Sequence, residues 1–291
     1  MEFSNEKLLS FFYEFLFLTA EISFLFIFIN MIMFYINSRY SFNKYLKNNV
    51  FSYFIAIFLG SITTFCSCST IPVFNSLIKN NINHGVASAF LLTSPLINPM
   101  LITMLLSAFG FSITFYYIIY IVVFVFIISY LIGLIPARLL LKDIVTKEFQ
   151  FNQNVKLNLY ECLYKSLKSY KDIFYYVLVG MLIGAFLHNF MPVEFIKDYL
   201  SSFGIYGIFL ASFVGLLLYI QTCLIIPLGV TLINVGFPIG IFFSFLIAGG
   251  GCSLPELILL KSMFKTRMMI IFILSVLAMA NVFGILLYLF Y

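Results

Sequence analysis

Charged residues are scarce in this chain, and their scarcity excludes a soluble globular protein. Only 9% of the 291 residues are charged, 63% are hydrophobic, and the mean hydropathy is +1.10. A soluble domain of this length needs much more polar surface. Apolar runs of about twenty residues recur along the chain, which is the length that crosses a ~30 Å hydrocarbon core. We therefore predict an all-α polytopic membrane protein in contact with the lipid bilayer.

Several motifs are also missing. The chain has no Gly-rich phosphate loop followed by Lys-Ser/Thr, so it cannot itself use ATP. It has no C-x-x-C pair, and four of its five cysteines lie in apolar segments, which argues against a secreted disulfide framework. The net charge of +5 comes from basic residues in short loops, a placement that orients membrane proteins and needs no nucleic acid. We predict no enzyme activity and no cofactor.

An internal repeat organises the sequence. When the chain is shifted by 155 residues against itself, its halves align without a gap. The matched pairs are Gly60 and Gly215, Cys68 and Cys223, Pro72 and Pro227, Gly85 and Gly240, and Phe90-Leu91 and Phe245-Leu246. Duplicated halves are a recurring design of secondary transporters. We predict a first membrane repeat over 1–137, a cytoplasmic linker over 138–169 and a second repeat over 170–291.

Each repeat shows the same order of parts. A long apolar helix is followed by an interrupted segment, then by a helix with a Pro/Gly-rich break, and then by a final helix. The predicted ranges are 9–37, 51–79, 84–108 and 112–137 in the first repeat, and 170–191, 204–235, 238–262 and 268–290 in the second.

The charge of the loops predicts the topology. The interrupted segments are either broken spanning helices or re-entrant hairpins. Cytoplasmic loops collect Lys and Arg, and with hairpins 14 of the 16 basic residues lie on one side, leaving only Lys7 and Lys197. Broken spanning helices divide them nine to seven. We therefore predict three spanning helices and one re-entrant hairpin per repeat, an odd number of spans that inverts the second repeat relative to the first.

Two pairs of motifs interrupt the apolar segments. Residues 66–72 read CSCSTIP, and Pro72 cannot donate a backbone hydrogen bond there. Their counterpart contains Gln221 and Cys223, before Pro227. In a bilayer, non-helical backbone is tolerated only where it is buried in protein or lines a cavity. These tips are therefore predicted to flank a solute path, with Ser69 among the lining residues.

The other motif pair lies in the third segment of each repeat. Residues 90–99 read FLLTSPLINP, and residues 249–260 read GGGCSLPELILL. Prolines break the helices here, and glycines such as Gly250 let backbone approach a ligand closely. Broken helices offer N–H and C=O groups to a solute near mid-membrane.

These motifs together resemble a bacterial permease family that includes organoarsenical efflux permeases. The resemblance covers about residues 51–265. It implies an inner-membrane permease that exports trivalent organoarsenicals. By position it points to the following residues: Cys66, Cys68, Pro72, Ser94, Pro95, Asn98 and Pro99 in the first copy, and Cys223, Ser253 and Pro255 in the second.

The cysteines and acids in apolar segments are further candidates. Cys66 or Cys68, with Cys223 and Cys252, would suit a thiophilic solute, although buried cysteine also behaves as a small hydrophobe. Glu21, with Glu14 on the same helical face, and Glu256 in the second broken helix are candidates for proton or cation coupling. An acid at mid-membrane costs roughly 2.5–3.5 kcal/mol. The alternative for Glu14 and Glu21 is an interfacial or protonated side chain.

The sequence thus favours a permease that moves a small solute by alternating access. A transmembrane thiol–disulfide electron conduit through Cys68 and Cys223 is the main alternative, and an uptake permease for a sulfur compound is another. A homo-oligomer is compatible with either class.

Overall fold

The chain is described by a computed structural model over residues 49–62, 67–79, 82–142, 158–190, 204–217 and 236–290, with scattered positions in 13–35 and 226–233. This part of the chain is almost entirely helical, as predicted for an all-α membrane protein. Its helices are α1 (Val50–Ile62), α2 (Ser67–Lys79), α3 (His84–Leu96), α4 (Pro99–Leu134), α5 (Ala137–Leu140), α6 (Leu159–Phe190), α7 (Tyr206–Leu217), α8 (Ile239–Gly251), α9 (Leu254–Leu260) and α10 (Thr266–Phe290).

Among the described residues, three stretches are long and apolar enough to cross a membrane. They are Pro99–Leu134, Ile239–Leu260, which combines α8 and α9, and Thr266–Phe290. Helix α1 and helix α7 are shorter apolar helices. The predicted end of the linker at 169 falls inside α6, which runs without a break from Leu159 to Phe190.

Helix α4 contains a sharp change of direction. Gly110 has a φ of 78° and a ψ of 178°, which is not helical and which residues with a Cβ rarely adopt. The chain therefore turns here, between the predicted third and fourth segments of the first repeat. Beyond the turn it runs back along α3, since Tyr117 contacts the end of α3 at Leu96 and Ile132 contacts its start at His84.

Close approach of helices at glycine holds the first group of helices together. A Cβ built on Gly85 would lie 2.6 Å from the Ser129 carbonyl oxygen, so α3 and α4 touch through their backbones. A Cβ on Gly60 would lie 3.2 Å from the Phe90 carbonyl oxygen, so α1 also approaches α3 closely, although less closely than α3 approaches α4. Such contacts between small residues are a common basis of helix packing in membranes.

The second group of helices packs through equivalent positions. A Cβ on Gly215 would lie 2.7 Å from the Phe245 carbonyl oxygen, and one on Gly240 would overlap the Gly284 carbonyl oxygen. Each of these residues is 155 positions after its counterpart in the first group. The helices agree as well, because α3 and α8 each have 13 residues and begin 155 positions apart.

Helices α1, α3 and α4 meet at one end of the bundle, which we call the linker end. Near the start of α1, Tyr53 packs its ring 5.9 Å from that of Tyr130 near the end of α4. The start of α3 lies at the same end, where His84 Nε2 is 2.9 Å from the Ile132 carbonyl oxygen. Since α2 finishes at Lys79, shortly before α3 begins, the start of α1 and the end of α2 both lie at the linker end.

The second group begins at the opposite, or far, end. Phe109, just before the turn at Gly110, packs its ring 5.2 Å from that of Phe243 near the start of α8. The chain then returns to the linker end, where Phe264 forms a β-bridge with Leu141. The path from α8 to α9 is therefore antiparallel to the path from α3 into α4.

Two lysines reinforce the contact at Leu141 and Phe264. The Lys142 N–H donates to the Met263 carbonyl at 3.0 Å, and the Lys265 N–H donates to the Leu140 carbonyl at 2.8 Å. The Lys265 ammonium also donates to the Arg138 carbonyl at 2.6 Å. Residues 138–142 and 261–265 thus lie at the same end of the bundle.

Helix α6 packs against the N-terminal segment and α9. The Ser166 hydroxyl donates to the Ile27 carbonyl at 2.7 Å, and Tyr170 is hydrogen-bonded to Ser23. Cys162, one turn earlier, is buried against Met31 and Tyr35.

Candidate functional site

Two helix breaks lie at equivalent positions in the two groups. The first separates α3 from α4 at residues 97–98, and the second separates α8 from α9 at residues 252–253. Ile97 and Cys252 are both extended, and their N–H groups donate to Thr93 at 2.8 Å and Ala248 at 3.0 Å. Both breaks end one helix with an ordinary capping hydrogen bond and begin the next at or before a proline.

The two breaks meet inside the protein. A Cβ built on Gly251 would lie 3.3 Å from Leu96 Cδ2 and 3.1 Å from Val276 Cγ1. Leu96 and Gly251 are each the last residue of their helix, and they are 155 positions apart. The contact between them is therefore one between two residues at equivalent positions of the 155-residue offset.

The first break contains four of the residues that the sequence singled out. Ser94 is fully buried near the end of α3, and Pro95 lies within the same helix. The Asn98 side chain accepts a hydrogen bond from the Leu101 N–H at 2.7 Å, which caps α4, and Pro99 is the first residue of that helix. Asn98 and Pro99 thus have a clear structural role at the start of α4.

The second break contains the other four described candidates. Gly250 and Cys252 are fully buried, Cys252 being a free thiol, and Ser253 is 4% exposed. Ser253 is the N-cap of α9, but its side chain makes no capping hydrogen bond. Glu256 lies in the first turn of α9, where it is fully buried, four residues after Cys252 in the sequence.

The hairpin residues are described only in part. The interruption was expected at the cysteine–proline stretch, whereas α2 begins at Ser67 and continues through Pro72 to Lys79. The backbone of Cys68 and Ser69 is therefore helical. The side chains of Cys68, Ser69 and Pro72 lie outside the described part of the structure, as do Cys66, Gln221, Cys223, Glu14 and Glu21 as whole residues.

Sequence reasoning missed one residue at the first break. Tyr117 is fully buried, and its hydroxyl donates to the Leu96 carbonyl at 2.9 Å. Its ring packs 6.0 Å from that of Phe243 and 5.7 Å from that of Phe283, both in the second group. Tyr117 is one of 19 tyrosines, and nothing in its local sequence distinguishes it.

The long apolar helices of the described residues define a multi-pass helical membrane protein. The chain matches the ArsP_1 family, described as a predicted permease, over residues 7–289. The chain belongs to this family, which supports a transport function and confirms the resemblance seen in the motifs.

A similar protein is known from an archaeon. The UPF0718 protein MJ0584 of Methanocaldococcus jannaschii is 28% identical over 106 residues, which are 36% of this chain and 29% of that protein. No solved structure shows a significant match to the chain.

Proposed function

We propose that this chain is a permease that moves a small solute by alternating access through a central site where its two helix breaks meet. The observation that carries the proposal is the contact between Leu96 and Gly251, the last residues of α3 and α8. Breaks of this kind leave backbone polar groups that must be satisfied by protein, water or solute. Secondary transporters bind solutes at such breaks, near the middle of the bilayer.

The inverted repeat supplies the two alternating states. Its support is the opposite direction of the paths through the two breaks, together with the equivalent glycine contacts at 60, 85, 215 and 240. In each repeat a hairpin would enter and leave on one side, as the shared position of the start of α1 and the end of α2 suggests. Rocking one repeat against the other would then open the central site to either side in turn.

A thiophilic solute suits the chemistry of the site. Cys252 provides a free, buried thiol at the second break, and Cys66, Cys68 and Cys223 are proposed to join it from the hairpins. Sulfur ligands favour soft species such as trivalent arsenic. We therefore propose organoarsenical efflux as the activity.

Coupling to an ion gradient is assigned to acids. Glu256 is fully buried four residues after Cys252, where a change of protonation would alter the charge beside the solute. Glu21 and Glu14 are proposed as a second pair of coupling residues. An ionisable residue inside the membrane is by default a candidate for such a role.

The linker end is proposed to face the cytoplasm of a bacterium, with the protein in the inner membrane. Arg138 and Lys142 lie in one of the two segments that pair at this end, Lys261 and Lys265 lie in the other, and Arg267 follows two residues later. This asymmetry follows the positive-inside rule.

The direct test is accumulation of trivalent methylarsenite in energised everted vesicles. Wild type should accumulate the compound, and Cys252→Ser and Glu256→Gln should reduce accumulation at least about tenfold if each removes one direct interaction. Cys162→Ser is the matched control, because this cysteine packs against Met31 and Tyr35, away from the breaks. Absence of accumulation in wild-type vesicles of verified orientation would refute the arsenical assignment. Trapping of a Cys68–Cys223 disulfide would then favour the electron conduit.

The inverted topology has its own test. Ser112 and Arg267 are exposed equivalents, 155 positions apart, just after the far-end turn and the linker-end turn. Cysteines introduced at these two positions should be labelled by a membrane-impermeant maleimide from opposite sides of sealed vesicles. Labelling of both from the same side would refute the inversion.

A further inference from the structure

The two breaks occupy equivalent positions but differ in their hydrogen bonding. At three pairs of equivalent residues the first break has a hydrogen-bonding group or interaction that the second lacks, and at a fourth pair the two residues differ in size. The pairs are Asn98 and Ser253, Tyr117 and Phe272, Met100 and Pro255, and Leu96 and Gly251. The repeat therefore has an internal asymmetry at its centre.

The first break is satisfied by the protein itself. Asn98 accepts the Leu101 N–H at 2.7 Å, so the first turn of α4 is capped. Tyr117 donates its hydroxyl to the Leu96 carbonyl at 2.9 Å, so the last carbonyl of α3 has a partner from outside its helix. Both interactions are made by buried or half-buried side chains, which fixes the geometry of this break.

Within the part of the chain that the structure describes, the second break lacks both of these interactions. Ser253 is an N-cap residue whose side chain makes no capping hydrogen bond. Phe272 is fully buried at the position equivalent to Tyr117, and it has no hydroxyl to offer Gly251. The residue four positions after Gly251 is Pro255, which has no N–H to continue the helical pattern. Buried polar groups in a bilayer are costly without partners.

The two breaks also differ in the size of the side chain that ends the preceding helix. Leu96 ends α3 with a large buried side chain, whereas Gly251 ends α8 with none and is preceded by Gly249 and Gly250. Backbone without side chains can approach a ligand closely. Among the described residues, the second break thus offers hydrogen-bonding groups beside backbone that carries no side chain of its own, with Leu96 and Val276 packed against Gly251.

We infer that the solute is held by the second break, through the Gly251 carbonyl, the Ser253 hydroxyl and the Cys252 thiol, while Tyr117 and Asn98 hold the first break as a fixed wall. This inference rests on the proposed transport function and assigns its contacts unequally between the repeats. Tyr117 is a positioning residue in this scheme, since it acts on the Leu96 backbone and not on the solute. The solute supplies at the second break the hydrogen-bond donor that Tyr117 supplies at the first.

Variants at equivalent positions test the inference. KM for trivalent methylarsenite in everted vesicles and the Tm of the purified protein are measured for each. Ser253→Ala should raise KM by about tenfold at unchanged Tm, because one hydrogen bond to the solute is lost, and Ser253→Thr, which keeps the hydroxyl, should restore KM. Phe272→Tyr should also raise KM, because its hydroxyl would compete for the Gly251 carbonyl. Asn98→Ala and Tyr117→Phe should lower Tm and leave KM within about twofold.

The outcomes separate the inference from the function on which it rests. A KM that rises for Asn98→Ala and Tyr117→Phe but not for Ser253→Ala would overturn the inference while leaving the permease intact. Equal effects at both breaks would overturn it too, since they would indicate a symmetric site. Failure of wild type to transport methylarsenite would overturn the proposed function and the inference together.

Discussion

Replacing Gly85 with alanine tests the helix contact that holds α3 against α4. The added Cβ would lie 2.6 Å from both the Ser129 carbonyl oxygen and the Gly133 Cα, which are backbone atoms that no rotamer change can move. Carbon–oxygen contacts in proteins lie at about 3.3–3.6 Å, so the helices must separate by roughly 0.7 Å. The shift would also disturb the Asn83 side chain, which caps α3 by accepting the Gly85 N–H at 2.8 Å.

The expected cost follows from the kind of overlap. Overpacking a well-packed site costs about 1–3 kcal/mol, and a backbone obstacle puts Gly85→Ala near the upper end. The greater helix propensity of alanine returns up to about 1 kcal/mol. We expect a net loss of about 2 kcal/mol, which corresponds to a Tm lower by about 4–8 °C.

The measurement is thermal unfolding of the purified protein in a mild detergent, with Gly60→Ala as the matched control. A Cβ at Gly60 would lie 3.1 Å from Thr93 Cβ and 3.2 Å from the Phe90 carbonyl oxygen, which asks for a shift of only a few tenths of an ångström. The gain in helix propensity should nearly cancel that cost. If Gly85→Ala were as stable as Gly60→Ala, the backbone contact between α3 and α4 would be refuted.

Two further predictions concern residues away from the site. Burial raises the pKa of the Cys162 thiol, so less thiolate is present at neutral pH. Maleimide should therefore label Cys162 slowly at pH 7 and faster as the pH rises, whereas the thiol of a Tyr164→Cys variant, at an exposed position, should react quickly. Equal labelling rates at pH 7 would contradict the burial of Cys162. At the linker end, the Lys142 ammonium donates to the Lys261 carbonyl as the Lys265 ammonium does to the Arg138 carbonyl, and replacing both lysines with methionine removes these two hydrogen bonds. Hydrogen exchange at the two backbone N–H groups of the bridge should then become faster, and unchanged exchange would show that the ammonium groups do not stabilise it.

The sequence predicts the helical organisation well because the relevant signals are local. Low charge and long apolar runs are sufficient to predict an all-α membrane protein, and the helices and family match agree with this. The positions of both breaks follow from Pro99 and Pro255, since proline removes an N–H and ends a helix at fixed positions. The turn at Gly110 lies between the predicted segments 84–108 and 112–137, where glycine can adopt the positive φ that the turn requires.

The hairpin shows where proline alone misleads. The interruption was expected around the cysteines and Pro72, with helical arms over 51–65 and 70–79, whereas α1 ends at Ile62 and α2 runs from Ser67 through Pro72 to Lys79. In membrane helices proline is tolerated when neighbouring groups satisfy the freed carbonyl. Whether those groups are present depends on packing, which a single sequence does not report.

Contacts between residues that are distant in the sequence could not be predicted from the sequence either. The hydrogen bond of Tyr117 to Leu96 spans 21 residues, and its ring contacts reach Phe243 and Phe283 in the second group. Asn98 was singled out as a solute contact, yet its side chain caps α4. A polar residue beside a proline fits both roles, and only the geometry distinguishes them.

Cross-linking between the repeats can test whether the two helix breaks meet inside the protein. All five native cysteines are replaced, single cysteines are added in pairs, and a protease site is inserted into the linker. After oxidation in membranes and cleavage, the two repeats stay together on a gel only if a disulfide joins them. Leu141→Cys with Phe264→Cys, at the β-bridge, is the positive control. Leu96→Cys with Leu274→Cys is the negative control, because Leu274 is exposed on α10.

The decisive pair is Leu96→Cys with Gly251→Cys. A Cβ on Gly251 would lie 3.3 Å from Leu96 Cδ2, so cysteines at these two positions lie within reach of a short cross-linker, and a disulfide forms if their Cβ atoms approach to about 3.5–4.5 Å. Oxidation, or a short bismaleimide, should join the two repeats through this pair of cysteines. Repeats that separate after cleavage, while the bridge control remains joined, would contradict a central site built from the two breaks.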